Sequence, residues 1–429
     1  MSSIKILYLN PVGAIGGAER CLLHVMAAAR AAEPSAELHL ITSTDGPLLQ
    51  KAENLGVRAR LLQMPACLTG IGEPSRIDAT RLSVARLACR ACRAAPAALR
   101  YARRLREAIE EIGPALVHSN GQKTHFLSGL CGWTKGALIW HMHDFLARRP
   151  MTARTLRRVS KHVTGFIAVS QAIRQDVQDL LKRVPTTVIY NVVDVNQFCP
   201  GSGAACRLDE LAGLPSAEAG ALRVGLVATF ARWKGHDVFL RAAARLLAQQ
   251  PERKLRFYIV GGPIYGTRGS QVSLAELTAR AAELGIASRL GFVPYVDNPA
   301  GVYRALDVVV LPSTQPEPFG LTIVEAMACG RPVIASQAGG AAEILTDHHD
   351  AIGVPPGNAE NLAQAILLLL ADPSLRNKLG ANARQTTVER FSQSRLVPEI
   401  SAIYRQQIQS HPSASARSRP AARQPYVPA

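Results

Sequence analysis

Leu311-Pro-Ser-Thr-Gln-Pro-Glu-Pro-Phe-Gly-Leu-Thr-Ile-Val-Glu-Ala-Met-Ala-Cys-Gly-Arg-Pro332 decides how the rest of the chain is read. It leaves an apolar run, Asp307-Val-Val-Val-Leu311, that reads as a buried strand bounded by turn signals. A proline-punctuated loop then carries Glu317, and Gly320 precedes an apolar helical segment carrying Glu325. Gly330 ends that helix, Pro332 prevents its continuation, and Val333-Ile334-Ala335 begins another strand. A strand end, an exposed loop and a helix start bring outward-pointing N–H groups to one place. Either glutamate alone is as easily an ordinary solvated acid. The two together, flanking Phe319-Gly320-Leu321, point to a ligand site.

Working outward, the second half alternates strands and helices: strands at Arg223–Phe230, Leu255–Val260, Arg289–Val293 and Asp350–Val354, with helices at 237–248, 274–284, 359–371, 373–389 and 392–409. The first half has the same style, with strands at Ile4–Leu9, Glu37–Thr42, Val57–Leu62, Ala115–His118, Ala137–His141, Gly165–Val169 and Thr187–Tyr190. Such alternation predicts parallel sheets covered by helices on both faces. At 429 residues the chain exceeds one ordinary core. The weakly periodic stretch 201–220 reads as the boundary between domains at 1–200 and 201–391. A final helix over 392–410 is expected, with the possibility of packing back on the first domain, and a disordered low-complexity tail over 411–429.

The formal net charge is +17, and much of it lies between Arg76 and Lys161. Arg86, Arg90, Arg93, Arg100 and Arg104 return to one helical face, in a segment that Pro96 is expected to split. Arg148, Arg149, Arg154, Arg157, Arg158 and Lys161 form a second cluster. A solvated face and an anionic membrane surface both suit these clusters. Nucleic acid does not, because aromatics are 5% of residues and do not interleave with the cations. No apolar run approaches the roughly 20 residues of a spanning helix, and no signal-peptide pattern opens the chain. A cytoplasmic protein, with a peripheral position on the inner membrane face as a further option, is expected. Cys89 and Cys92 form the single Cys-x-x-Cys among eight cysteines and read as small packing residues, not metal ligands.

Taken in order, these features resemble the retaining nucleotide-sugar glycosyltransferases of the two-Rossmann-domain (GT-B) type, family 4. The resemblance covers about residues 4–405 and rests most on the E-x7-E motif, Glu317 to Glu325. Gly16-Gly17-Ala18-Glu19-Arg20, Asn191 to Phe198, Trp233-Lys234-Gly235 and Asp307 to Ser313 support it. It implies a UDP- or GDP-sugar donor and a glycan or lipid-linked acceptor, in polysaccharide or glycolipid assembly, in two α/β domains facing across a cleft. Lys234 would hold the diphosphate and Gly16-Gly17 would form its nest. Glu325 would accept from ribose hydroxyls and Glu317 would meet the sugar hydroxyls beside the amides of Phe319, Gly320 and Leu321. The base would rest at Val293-Pro294, and His143 would face the donor sugar. His118 is a second candidate, for which a structural role is favoured. The family's usual arginine position holds Thr229, and Arg232 is the nearby substitute. No Asp-x-Asp occurs, so neither a metal nor another cofactor is expected. Another GT-B enzyme such as a nucleotide-sugar epimerase, or a non-catalytic membrane-bound scaffold, remains the alternative.

Overall fold

The computed structural model describes residues 3–70, 81–181, 184–202, 207–263 and 271–412, with side chains omitted for 81–88. The tail beyond Pro412, Arg76 and the side chain of Arg86 lie outside the described residues.

The first half supplies β1 (Lys5–Asn10), β2 (Glu37–Thr42), β3 (Arg58–Leu61), β4 (Leu116–Asn120), β5 (Ala137–Met142), β6 (Gly165–Ala168) and β7 (Thr186–Val188). They form one parallel sheet in the order β3-β2-β1-β4-β5-β6-β7. Its helices are α1 (Gly17–Ala32), α2 (Pro47–Glu53), α3 (Ala66–Thr69), α4 (Arg81–Ile112), α5 (Gln122–Leu130), α6 (Pro150–Val159) and α7 (Gln171–Leu181).

After the short α8 (Leu208–Leu211), the second half supplies β8 (Leu222–Val227), β9 (Leu255–Val260), β10 (Leu290–Val293), β11 (Val308–Leu311), β12 (Val333–Ser336) and β13 (Ile352–Val354). These are also all parallel, in the order β10-β9-β8-β11-β12-β13. Around them lie α9 (His236–Gln249), α10 (Leu274–Glu283), α11 (Ala300–Ala305), α12 (Leu321–Ala328), α13 (Ala341–Ile344), α14 (Ala359–Ala371) and α15 (Pro373–Phe391). The expected α/β architecture of two parallel-sheet domains is therefore present.

Strand composition follows from burial. β11 is Val-Val-Val-Leu with every residue buried, as a strand covered on both faces must be. In each sheet the order reverses beside the first strand, between β1 and β4 and between β8 and β11. Such switch points open crevices at the strand C-terminal edges. β8 is shorter than its apolar run because Phe230 leaves the sheet, its amide bonding Gly262 and its carbonyl accepting from Val272.

Three expectations need correction. Pro96 does not split its segment: α4 runs unbroken from Arg81 to Ile112 with Pro96 inside. An interior proline costs about 3 kcal/mol. The helix offsets that by burying Ala94, Ala98, Tyr101, Ala102, Leu105 and Ile109, while Pro96 sits on the exposed side. Cys89 and Cys92 are exposed on α4, so they are not packing residues. The second basic cluster also divides. Arg154, Arg157, Arg158 and Lys161 are exposed, whereas Arg148 and Arg149 are half-buried.

After α15 the chain returns to the first domain. Val193 bridges to Ser392, and α16 (Leu396–Ser410) lies along α1. Leu396, Ile400 and Tyr404 of α16 are buried in the same cluster as Ile6, Tyr8, Leu22 and Val25. Another cluster runs through both domains, and Phe319 packs between Tyr190 and Phe391 with ring centroids 6.2 and 5.8 Å away. Among the described residues no helix is long and apolar enough to cross a membrane.

Candidate active site

The C-terminal edge of β11 delivers the Glu317 loop. Glu317 forms an isolated parallel bridge with Gly339, its amide bonding Ala338 O at 3.1 Å and its carbonyl accepting from Gly340 N at 2.7 Å. That turn needs glycines: Gly339 has φ +67°, and a Cβ on Gly340 would lie 2.2 Å from Pro318 O. Glu317 is buried, and its side chain accepts from Ser313 Oγ. Lys234 Nζ donates to both its carboxylate oxygens, at 2.8 and 3.0 Å.

Lys234 closes a short turn, Arg232–Lys234, after β8. Gly235 follows with φ +78°, and a Cβ there would lie 1.8 Å from Pro312 O. Thr314 N also bonds Trp233 O at 2.8 Å. The lysine loop and the glutamate loop are thus fastened backbone to backbone. Nζ lies 4.1 Å from the Trp233 ring centroid. Arg232 does not join this pair; its exposed guanidinium donates to Glu276 at 2.8 Å.

Glu325 projects from α12 into a buried position. Tyr303 Oη donates to it at 2.8 Å, and the Arg20 guanidinium lies 3.6 Å away. Burial pushes its carboxyl pKa up, with Arg20 and the Tyr303 hydrogen bond pulling the other way. Arg20 comes from the first domain. It also donates to Tyr295 Oη at 3.0 Å and to Asp297 O at 2.8 Å, so it spans the cleft. Arg148 spans it too, donating to Pro316 O at 2.5 Å.

Gly16 caps α1, and its amide is already taken by Glu19 Oε2 at 3.0 Å. From there a polar chain runs through the buried floor of the first domain. Asn10 Nδ2 donates to Glu19, Asn120 Nδ2 donates to Asn10 at 2.8 Å, and His143 Nε2 meets Asn120 Oδ1 at 2.6 Å. Because Asn120 Oδ1 can only accept, the His143 proton sits on Nε2 and leaves Nδ1 as the acceptor. Burial holds the His143 imidazole down at about 4, with Asp144 opposing, so it is neutral at pH 7.

Gly17 begins α1, and a Cβ there would lie 3.5 Å from Leu321 Cδ1 at the start of α12. The N-termini of α1 and α12 therefore meet across the cleft. The first amides of a helix have no carbonyl one turn back, although Ile323 N in α12 bonds Gly320 O at 3.0 Å, and the two dipoles add positive potential. Val293 ends β10 with its carbonyl accepting from Gly261 N, and the half-exposed Tyr295 follows it. His118 lies apart from this group. It is fully buried between His141 Nδ1, at 3.3 Å, and Tyr404 Oη, at 2.8 Å, which ties α16 to the first sheet.

The structure thus brings together Glu317, Lys234, Glu325, Gly17, Phe319, Gly320 and Leu321, while His143 joins through the Asn10–Asn120 chain. Sequence reasoning missed Arg20 and Tyr303 as partners of Glu325, and Arg148 beside Glu317. Arg20 had a signal, since it ends the Gly-Gly-Ala-Glu-Arg run one turn into α1. Tyr303 had none.

Residues 217–386 match the family model described as glycosyl transferases group 1, and residues 15–197 match that of glycosyltransferase family 4. A protein of Catenulispora acidiphila named D-inositol 3-phosphate glycosyltransferase 2 is 38% identical over 71% of this chain and 73% of its own. A D-inositol 3-phosphate glycosyltransferase of Saccharomonospora viridis is 33% identical over 70% of this chain and 72% of its own. Among solved structures, Anabaena HepE in complex with UDP-glucose superposes with a TM-score of 0.75 at 24% identity, covering 94% of this chain and all of that one. Sucrose-phosphate synthase of Thermosynechococcus elongatus gives 0.73 at 21% identity, covering 95% of this chain and all of that one. At these identities the structures bear on the fold.

Proposed function

The chain belongs to the group 1 glycosyltransferases, family 4, and from that premise we propose that it transfers a hexosyl group from a UDP- or GDP-sugar, with retention, to a hydroxyl of a glycan or lipid-linked acceptor. The observation that carries this reading is the meeting of the α1 and α12 N-termini, Gly17 against Leu321, beside the Lys234–Glu317 pair. A diphosphate placed there gains amide donors, two helix dipoles and the lysine as negative charge grows on the leaving group. Glu325 then accepts from the ribose hydroxyls and Glu317 from the sugar hydroxyls. The base lies along Val293 and Tyr295.

The bond between the anomeric carbon and the diphosphate oxygen breaks as the acceptor oxygen attacks from the same face. Attack on the face that the diphosphate leaves keeps the anomeric configuration, and the acceptor's proton passes to the departing phosphate oxygen. Neutral His143, its proton directed to Asn120, offers Nδ1 as an acceptor to the sugar and adds no competing charge. The diphosphate is met by cations and amides in this scheme, without a metal.

The outward arginines of α4 and α6 support docking on anionic lipid. α5 packs against both helices, so the three belong to one layer of the first domain. This agrees with a cytoplasmic enzyme working at a membrane surface. A phosphorylated polyol is a second acceptor reading, favoured by the names of the relatives at 33 and 38% identity.

The test is a thermal-shift screen against UDP, GDP, ADP and their sugars, because a ligand that binds the native state raises its apparent stability. A shift with a UDP- or GDP-sugar supports the reading, and no shift with any of them contradicts it. Acceptor assays with D-inositol 3-phosphate and with lipid-linked sugars then separate the two acceptor readings.

A further inference from the structure

Glu343 lies in the second domain but its carboxylate is bound by the first. Oε2 accepts from Gln171 N and Oε1 from Ala172 N, both at 2.8 Å, and Tyr190 Oη donates to Oε2 at 3.0 Å. Gln171 and Ala172 open α7, directly after the C-terminal end of β6 at the cleft edge. Ser170 Oγ satisfies the next amide, Ile173 N, at 3.1 Å. Glu343 therefore completes the first turn of a helix belonging to the other domain, where both charge and dipole favour a carboxylate.

On its own side of the cleft, Glu343 is joined to the active site by three residues of backbone. Gly339 and Gly340 hold the Glu317 backbone through the bridge already described, and neither tolerates a Cβ. Arg390 fixes the far side of the same turn by donating to the carbonyls of Glu343 and Ile344, at 2.7 and 3.1 Å. A shift of the Glu343 side chain relative to α7 thus displaces the strip of backbone against which Glu317 is set.

We propose that Glu343 is a positioning residue for sugar transfer: by docking on the α7 N-terminus when the domains close, it sets the Glu317 loop in its working place. This rests on the transferase reading of Glu317 but assigns Glu343 no contact with donor or acceptor. An open cleft leaves the Gln171 and Ala172 amides to water and the 338–343 turn without its first-domain anchor. Closure and correct placement of Glu317 then become one event.

The test uses the full chain in three variants, Glu343→Ala, Glu343→Gln and Gln171→Pro. The last removes one donor from the first-domain side at a helix position where proline is favoured, so α7 survives. Native-state hydrogen exchange needs no substrate: Glu343→Ala should expose the Gln171 and Ala172 amides while those of Val177 and Leu181 keep their protection. In turnover, kcat should fall about tenfold or more in Glu343→Ala, because small misplacements of reacting groups cost that much. The donor KM should stay within about twofold, since no donor contact is lost. Gln171→Pro should lower kcat in the same direction, and Glu343→Gln, which keeps one acceptor oxygen, should fall between. Unchanged kcat in both Glu343→Ala and Gln171→Pro overturns the proposal, as does an equal loss in donor affinity and kcat. A wild-type chain that turns over no nucleotide-sugar overturns the transferase reading instead; the exchange result then still decides whether Glu343 holds α7.

Discussion

Lys234 Nζ reaches both carboxylate oxygens of Glu317, at 2.8 and 3.0 Å, although the two residues are 83 positions apart. The lysine side chain is 16% exposed and the glutamate side chain 4%. Removing one partner from so buried a pair strands the other charge, at a cost of about 3–5 kcal/mol. Lys234→Met should therefore unfold at clearly lower urea concentration than the wild type and lose turnover. The double variant Lys234→Met with Glu317→Gln should be less destabilised than the sum of the singles. Additive losses in that cycle would mean that the pair is not coupled.

Gly235 fixes where the lysine can be. With φ +78° and Pro312 O only 1.8 Å from any Cβ, Gly235→Ala must push the two loops apart. The strain costs about 1–3 kcal/mol. Turnover should fall by about a hundredfold, since displacement near 1 Å has that effect. A Gly235→Ala enzyme with normal kcat would show that Lys234 is not held by this contact.

Glu325 carries a sign that can be measured. Its folded carboxyl pKa is raised, so its contribution favours folding below the ordinary value of 4.5 and is lost as pH rises through the folded value. Above that value burial of the Glu325 carboxyl weighs against folding. Glu325→Gln keeps an acceptor for Tyr303 and should raise the melting temperature at pH 7.5, with the gain shrinking towards pH 4. Its nucleotide-sugar turnover should be weak. A variant less stable than the wild type at pH 7.5 would reverse the assignment.

The histidines act in the opposite sense. Burial lowers His143 to about 4 and His118 to about 3, with the His143 charge also opposing protonation of His118. Stability from neutral imidazoles is present above pH 6.5 and is lost as pH falls through those lower values. For His143 the loss is about 3 kcal/mol across the window from 6.5 to 4. His118→Asn should flatten the acid limb of a stability–pH profile. An unchanged slope would place acid sensitivity elsewhere.

How much of this was legible follows from what each residue depends on. The two sheets were readable because buried parallel strands write themselves as short apolar runs such as Val308–Leu311, which Asp307 precedes and Pro312 ends. The Glu317 and Glu325 loop was readable because its strand, turn and helix are contiguous. Arg20 beside Glu325 and Glu343 against α7 were not, since each meets its partner across a domain boundary no local pattern records. Pro96 misled because tertiary burial of one face of α4 outweighs a single interior proline. Arg148 was grouped with a surface cluster by its neighbours in sequence, yet it turns to Pro316.

The outward basic faces give a further outcome. Arg93, Arg100 and Arg104 are exposed on α4, and replacing all three with glutamine should weaken sedimentation with anionic vesicles. The loss should be larger at low salt than at high salt, because screening already weakens such contacts. Equal vesicle binding by both proteins would remove the membrane from the account.

The central claim is that the cleft between Lys234–Glu317 and Glu325 holds a nucleoside diphosphate sugar. Calorimetric titration of the wild-type chain and of Glu325→Ala with UDP- and GDP-sugars addresses it most directly. The account predicts binding of one of these donors by the wild type, and an affinity about tenfold or more lower in Glu325→Ala, as loss of a charge-assisted hydrogen bond requires. Equal affinity in the two proteins, or no binding of either donor class by the wild type, would contradict it.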